Sequence, residues 1–389
     1  MTMSPLPTLE SPQFRESGVC ELPNAASMYE KILRAEAQAV QDGANENVML
    51  ARVVGHLLLE LHARRGILGN QPCETIIDEV IPSSTGHGDG DNVVFEVGRQ
   101  YRDHLILRKS TEQCRYSPPS SHPSRSSYDK LEDMIKDTLE SSSQDYRTAK
   151  KKALARDGFR CMITGLFDMT SLKHNAELQR RGETLGGMPI VVQASHILSE
   201  SMTQGIGLNE KGSIANKTDY AAGVLAILSQ FGLGYLSGAL AAVNGVHEVW
   251  NLLSLQCDLH SDFDSLNLWF ESTGEPNRYK ICVFDVEIEQ FIRLNSKRPE
   301  TSGPGASMVV DFSPNQENAP PPDPQLLALH ATLSQAERPG SPTHSKSMAE
   351  ALKILHAVKV PDYHLGTSAL SISIRRGGEI QLGRENGGH

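Results

Sequence analysis

Apolar residues recur at helical intervals early in the chain. Within residues 26–62, SMYEKILRAEAQAV sets Tyr29, Ile32 and Leu33 on one face, and ENVMLARVVGHLLLELH repeats the pattern. The spacing predicts a helical pair. Residues 92–107 (NVVFEVGRQYRDHLIL) begin strand-like and turn helical. A long polar helix is expected over 128–157, where Asp157-Gly158 turns the chain toward Cys161–Gly165. MPIVVQA at 188–194 reads as a strand ending just before His196. LNLWF, after Phe263, and YKICVFDV at 279–286 are further strand candidates.

Punctuation between these segments suggests an organisation. Residues 1–25 read as a flexible N-terminus and 26–117 as a helical or mixed region. PPSSHPSRSS at 118–127 is a linker by composition, and 128–299 forms a second module with a leading helix. Pro, Gly, Ser and Asn dominate 300–345, including PNQENAPPPDP, so this stretch is expected to be disordered. A short helix and a glycine-rich tail occupy 346–389. The uncharged run YAAGVLAILSQFGLGYLSGALAAV at 220–243 is long enough to span a bilayer. It carries serines, a glutamine and four glycines, and Asp219 and Glu248 flank it rather than a basic cluster. Two short buried helices joined at FGLG are expected there, with no membrane partner.

Composition narrows the picture. Apolar content of 39% with 5% aromatics is low for a chain packed throughout. A net charge of −10 argues against a protein coated for nucleic acid. Between Arg147 and Glu183, however, nine basic residues stand against four acidic ones. Arg156 and Arg160 are candidate phosphate contacts in that flank; a solvated helix face is the competing reading. Six cysteines lie scattered without a CxxC pair, which suits a reducing compartment. No basic stretch followed by an apolar run opens the chain, so an intracellular protein, nuclear or cytoplasmic, is expected.

The chemistry concentrates in ASHI at 194–197 and WNLLSLQCDLHSDFD at 250–264. A strand leads into His196, and a second segment supplies Asn251, then His260 after eight residues, then Asp264 four further on. On a helix, His260 and Asp264 share a face, a spacing that suits two ligands of one divalent ion. Magnesium, manganese and zinc all accept such donors. Asp264 reads equally as a helix-face carboxylate or as a partner of Lys280. His247 has no assigned role, and HGDGD at 87–91 reads as a glycine loop.

These blocks resemble the HNH endonuclease family, in particular the HNH domains common in fungal proteins. The resemblance rests on Cys161-Met162-Ile163-Thr164-Gly165, on Ala194-Ser195-His196-Ile197, and on Asn251 with Leu255, His260, Phe263 and Asp264. It covers roughly 147–295. It implies an α+β fold: a ββα-metal (HNH, or His-Me finger) core embedded in mostly helical surroundings, with disordered terminal segments. By the resemblance, His196 is the general base and Asn251 holds its loop through backbone contacts. His260 and Asp264 ligate one divalent metal ion (magnesium, manganese or zinc), and DNA or RNA is the substrate, cut at its phosphodiester bonds. Many active relatives carry Asp or His at the place of Ser195. Thr164, Gln256 and Leu259 stand where zinc-knuckle relatives carry cysteines, so no structural zinc is expected. A catalytically degenerate HNH-fold interaction or nucleic-acid-binding module is the alternative.

Overall fold

The first helices of the protein, seen in a computed structural model, form around one strongly apolar element. The structure describes residues 3–81, 90–106, 131–140, 145–199, 215–242, 244–316 and 319–337. The chain opens with α1 (Pro12–Ser17), capped by Ser11, whose side chain accepts from the Phe14 amide. There follow α2 (Ala25–Gln41), α3 (Asn45–Ala63), α4 (Arg65–Leu68), α5 (Gln71–Val80) and α6 (Asn92–Tyr101), which runs into a π-helical turn at Arg102–Ile106. Helix α3 buries Leu50, Val53, Val54, Leu57, Leu58 and Leu61 together, more than one stripe. It is therefore enclosed, and α2, α5 and α6 pack around it. At Gly98 the α6 backbone comes so close to the Leu50 carbonyl that a side chain there would collide.

Two expectations change in this layer. Residues 3–25 are docked rather than flexible: Leu6, Phe14 and Val19 are buried, and the Phe14 ring lies 4.4 Å from that of Tyr29. Segment 92–106 is helical from Asn92, because Val94, Phe95 and Tyr101 bury at helical spacing toward the core.

Next come α7 (Leu131–Glu140) and α8 (Tyr146–Arg156), two helices where one long one was expected. The side chain of Asp145 caps α8 by accepting from the Thr148 amide, which starts the helix afresh. Short helices α9 (Met169–His174) and α10 (Ala176–Leu185) lead to β1 (Val192–His196). The uncharged run forms α11 (Ala215–Gln230) and α12 (Gly234–Ala241), with the turn at Phe231–Leu233 as expected from FGLG. Strand β2 (Leu252–Gln256) passes directly into α13 (Cys257–Asp264). Then follow β3 (Leu268–Ser272), β4 (Arg278–Val283), α14 (Val286–Asn295), β5 (Val309–Asp311) and α15 (Pro324–Glu337).

The fold is mixed α+β, mainly helical, with two small antiparallel sheets, β1-β2 and β3-β4-β5. In the first, Val192 pairs with Gln256 and His196 with Leu252. Helix α8 covers this pair, and α13 packs on β1, β2 and β3.

The disorder expected over 300–345 is corrected wherever the structure describes that stretch. Thr301 is buried, β5 completes the second sheet, and α15 buries Leu326, Leu327, Leu329 and Leu333 between α3 and β3. The proline-rich composition of 314–324 hid a helix that is buried nearly all round, its polar His330, Thr332 and Ser334 included. By bridging α3 and β3, α15 also removes the expected boundary between an N-terminal region and a second module. Met1–His344 is one compact unit, with one main core running from Leu6 to Ala336. The linker at 118–127, most of HGDGD, and the whole second unit, Ser345–His389, with its expected short helix and tail, lie outside the described residues.

Candidate functional site

Asn251 ends a 3-10 turn at Val249–Asn251, immediately before β2. Its side chain is fully buried and bonds only to backbone. Oδ1 accepts from the Leu198 amide at 2.9 Å, and Nδ2 donates to the carbonyls of Leu198 at 3.0 Å and Val246 at 2.9 Å. The Ile197 amide also donates to the Asn251 carbonyl at 2.8 Å. The segment leaving His196 is therefore clamped to the segment entering β2. A single amide satisfies groups on both.

Successive strand residues point to opposite faces. Gln193 and Ser195 face α13: Gln193 Oε1 lies 2.7 Å from His260 Nδ1, and Ser195 Oγ donates to Asp264 Oδ1 at 3.4 Å. Ala194 and His196 face the other way, toward α8. Ala194 packs with Ala149 and Ala153, and Tyr146 donates to its carbonyl at 3.2 Å.

Across the α13 face, His260 Nε2 sits 3.0 Å from Asp264 Oδ2. The i, i+4 spacing of the sequence is thus a contact. Asp264 pairs with His260 and Ser195, and not with Lys280. Because Gln193 Oε1 can only accept, His260 Nδ1 carries a proton, and Nε2 is the atom turned to the carboxylate. An imidazole lone pair and a carboxylate oxygen repel at 3.0 Å unless a proton or a cation lies between them. Two oxygen or nitrogen ligands in cis positions at about 2.1 Å from one ion are also about 3.0 Å apart. The contact therefore fits either a proton shared between His260 and Asp264 or a divalent ion held by both, with Gln193 fixing the ring as outer partners of ligating histidines do. Among the described residues, no third His, Cys, Asp or Glu joins them. Asp262, on the same helix, is half-buried, and its carboxyl is pushed up by burial.

His196 has a partner that sequence reasoning passed over. Its Nε2 lies 3.1 Å from His247 Nδ1, and the Tyr146 ring stands 5.9 Å and 6.0 Å from the two imidazoles. His247 lies 51 residues away, in a 3-10 turn at Gly245–His247, a separation that no spacing rule covers. The only sequence hint was its position four residues before Asn251. His196, His260 and Asp264 do not converge on one point. The pair His196–His247 and the pair His260–Asp264 lie on opposite faces of the β1-β2 ladder.

The two arginines expected to contact phosphate part company. Arg156 is fully buried. Its guanidinium bonds Asp157 at 2.6 and 2.8 Å and the carbonyls of Val249 and Leu252, each at 2.8 Å. This corrects the expectation: enclosed and saturated by internal partners, Arg156 ties α8 to the Asn251 turn and to β2. Arg160 remains part-exposed, its guanidinium 4.1 Å over the Phe167 ring. At the knuckle positions, Cys161 Sγ accepts from the amides of Thr164 at 3.5 Å and Gln256 at 3.4 Å, while Leu259 is buried. These bonds join the 161–165 turn to the end of β2.

Comparison of the chain with protein-family models, with curated proteins and with solved structures returns no match. No helix among the described residues is long and apolar enough to cross a membrane.

Proposed function

We propose that this protein is an HNH-type endonuclease with a ββα-metal core made of β1, β2 and α13, hydrolysing DNA or RNA phosphodiester bonds with one divalent ion. The supporting observation is how β1 distributes its side chains. Ser195 and Gln193 meet the His260–Asp264 pair on α13, and the next residue, His196, ends the strand inside the Asn251 clamp. His260 and Asp264 would hold the ion. When bound, it would supply a Lewis acid for the phosphate oxygens. Two protein donors leave room for water and substrate phosphate, a set that suits magnesium or manganese better than catalytic zinc, which takes three protein ligands.

In this reading the substrate phosphate has to reach round the end of β1 from the ion to His196, which takes the proton of the attacking water, and Asn251 fixes the backbone that aims it. His247 is a positioning residue. Its 3.1 Å contact lets the two imidazoles share a proton and holds the His196 ring in one orientation. Purified protein incubated with plasmid and magnesium or manganese is expected to cut it, and the His196→Ala and His260→Ala variants to fail. Equal cutting by the His196→Ala variant would sink the reading.

Ser195 favours a second reading, a non-catalytic HNH-like module, because its hydroxyl is a poor ligand where a carboxylate would complete the set. Calorimetry separates the two. Absence of manganese binding to the wild-type chain would leave only the non-catalytic module.

A further inference from the structure

The turn after α8 carries a cluster of cations that the His260–Asp264 site does not use. The Cys161 amide donates to the Leu166 carbonyl at 2.9 Å and Arg160 bridges Phe167, so residues 160–167 form a tight hairpin. Gly165, at φ +70°, closes it. Three arginines surround this hairpin. Arg160 lies over the Phe167 ring. Arg298 runs alongside Gly165, so close that a Cβ added there would lie 3.0 Å from its Cγ. Arg181 is near enough for its charge to press on Arg160, and a Cβ added at its neighbour Gly182 would lie 3.7 Å from the Phe167 ring.

Their partners are unequal. Arg181 pairs with Glu177 on its own helix. Neither the Arg160 nor the Arg298 guanidinium makes a hydrogen bond or ion pair among the described residues, and Arg298 Nε is buried without a partner. Burial, then Arg298 and Arg181, press the Arg160 pKa downward, which is the mark of like charges gathered without a counter-ion. Two guanidinium forks held against a rigid turn, one stacked on an aromatic ring, are suited to bidentate capture of phosphate oxygens. The hairpin is also bonded to β2, through the Met162 amide to Ser254 and through Cys161 Sγ to Gln256, the residue before α13. An anion held here is thus anchored to the same strand that leads into His260.

We propose that Arg160, Arg298 and Arg181 around Phe167 form a binding site for backbone phosphates of a nucleic-acid strand, beside the His260–Asp264 site and separate from it. The ligand class rests on the nuclease reading above; the anion site rests on the arginines. On a chain of net charge −10, such a site would fix where a polyanion can approach.

The test is fluorescence anisotropy of the full chain with a fluorescein-labelled DNA duplex and a labelled RNA strand, in EDTA, across a salt series. Wild-type protein is expected to bind. The Arg160→Ala and Arg298→Ala variants should each weaken binding several-fold and lower the slope of log K against log salt by about 0.9 on duplex. Lysine at either position should keep the slope but not the full affinity. Both side chains are part-exposed, so unchanged thermal melting should show that the variants are folded.

No binding by wild type, or unchanged slopes in both alanine variants, overturns the proposal. Complete displacement of the strand by millimolar inorganic phosphate also overturns it, in favour of a free-phosphate site. Binding that the variants lose, without plasmid cutting by wild type, keeps this site and removes the nuclease. Plasmid cutting that survives in both variants with unchanged salt dependence does the reverse.

Discussion

Asn251 illustrates how much one buried amide can hold. Removing it as Asn251→Ala strands the Leu198 amide and two carbonyls in the interior, at about 1–3 kcal/mol for each unsatisfied group. A loss of roughly 3 kcal/mol or more in urea unfolding is expected; a loss below about 1 kcal/mol would mean that water replaces the clamp. Ser195 makes an opposite prediction. Its side chain is buried and faces Asp264, so Ser195→Asp places a second carboxylate beside the first. Without metal the like charges should lower the melting temperature, and manganese should restore it while binding more tightly than to wild type. A variant that melts identically with and without manganese would remove the ion from this site. His247→Phe should lower kcat and leave KM unchanged, whereas His247→Asn, whose amide oxygen can take the place of Nδ1, should recover part of the rate.

Helix α3 carries a pH-sensitive residue away from the site. His56 is buried, its Nε2 bonds the Ser4 carbonyl at 3.1 Å, and burial pushes its pKa down to about 4 from 6.5. The folded value lies below the unfolded one, so the unfolded chain takes up the proton first. The stability His56 gives is complete above about pH 6.5 and is lost as pH falls toward 4, to a total of about 3 kcal/mol. Urea unfolding at intervals between pH 7 and pH 4 should show this slope, and His56→Gln should flatten it. Arg156 is the corresponding strut of α8. Arg156→Ala leaves Asp157 and two carbonyls buried and unpaired, so a loss of about 3–5 kcal/mol is expected. Element boundaries were partly legible. The i, i+4 pair on α13 and the FGLG turn follow from spacing alone. The break between α7 and α8 and the helical start of α6 depended on capping by Asp145 and on packing toward the core.

Across the whole molecule, α15 is the element that unites the layers. It packs on α3 and β3, and His330 stacks on Phe263 of the site helix, with ring centroids 3.8 Å apart. The N-terminal helices and the sheets should therefore unfold together. The fluorescence of Trp250 and Trp269 and far-UV helicity should be lost at one urea midpoint, and Leu61→Ala in α3 should shift both equally, by about 2–5 kcal/mol. Short-range pattern alone carried the local relations: the helical pair, the strand into His196, and His260 one turn from Asp264. Each of these depends on short-range periodicity or fixed spacing. Which face each side chain serves was settled by packing between distant segments. It paired His196 with His247, enclosed Arg156, grouped Arg160 with Arg298, and folded α15 into the core. Those outcomes depend on surfaces brought together from distant parts of the chain, and composition averaged over a window carries no record of them.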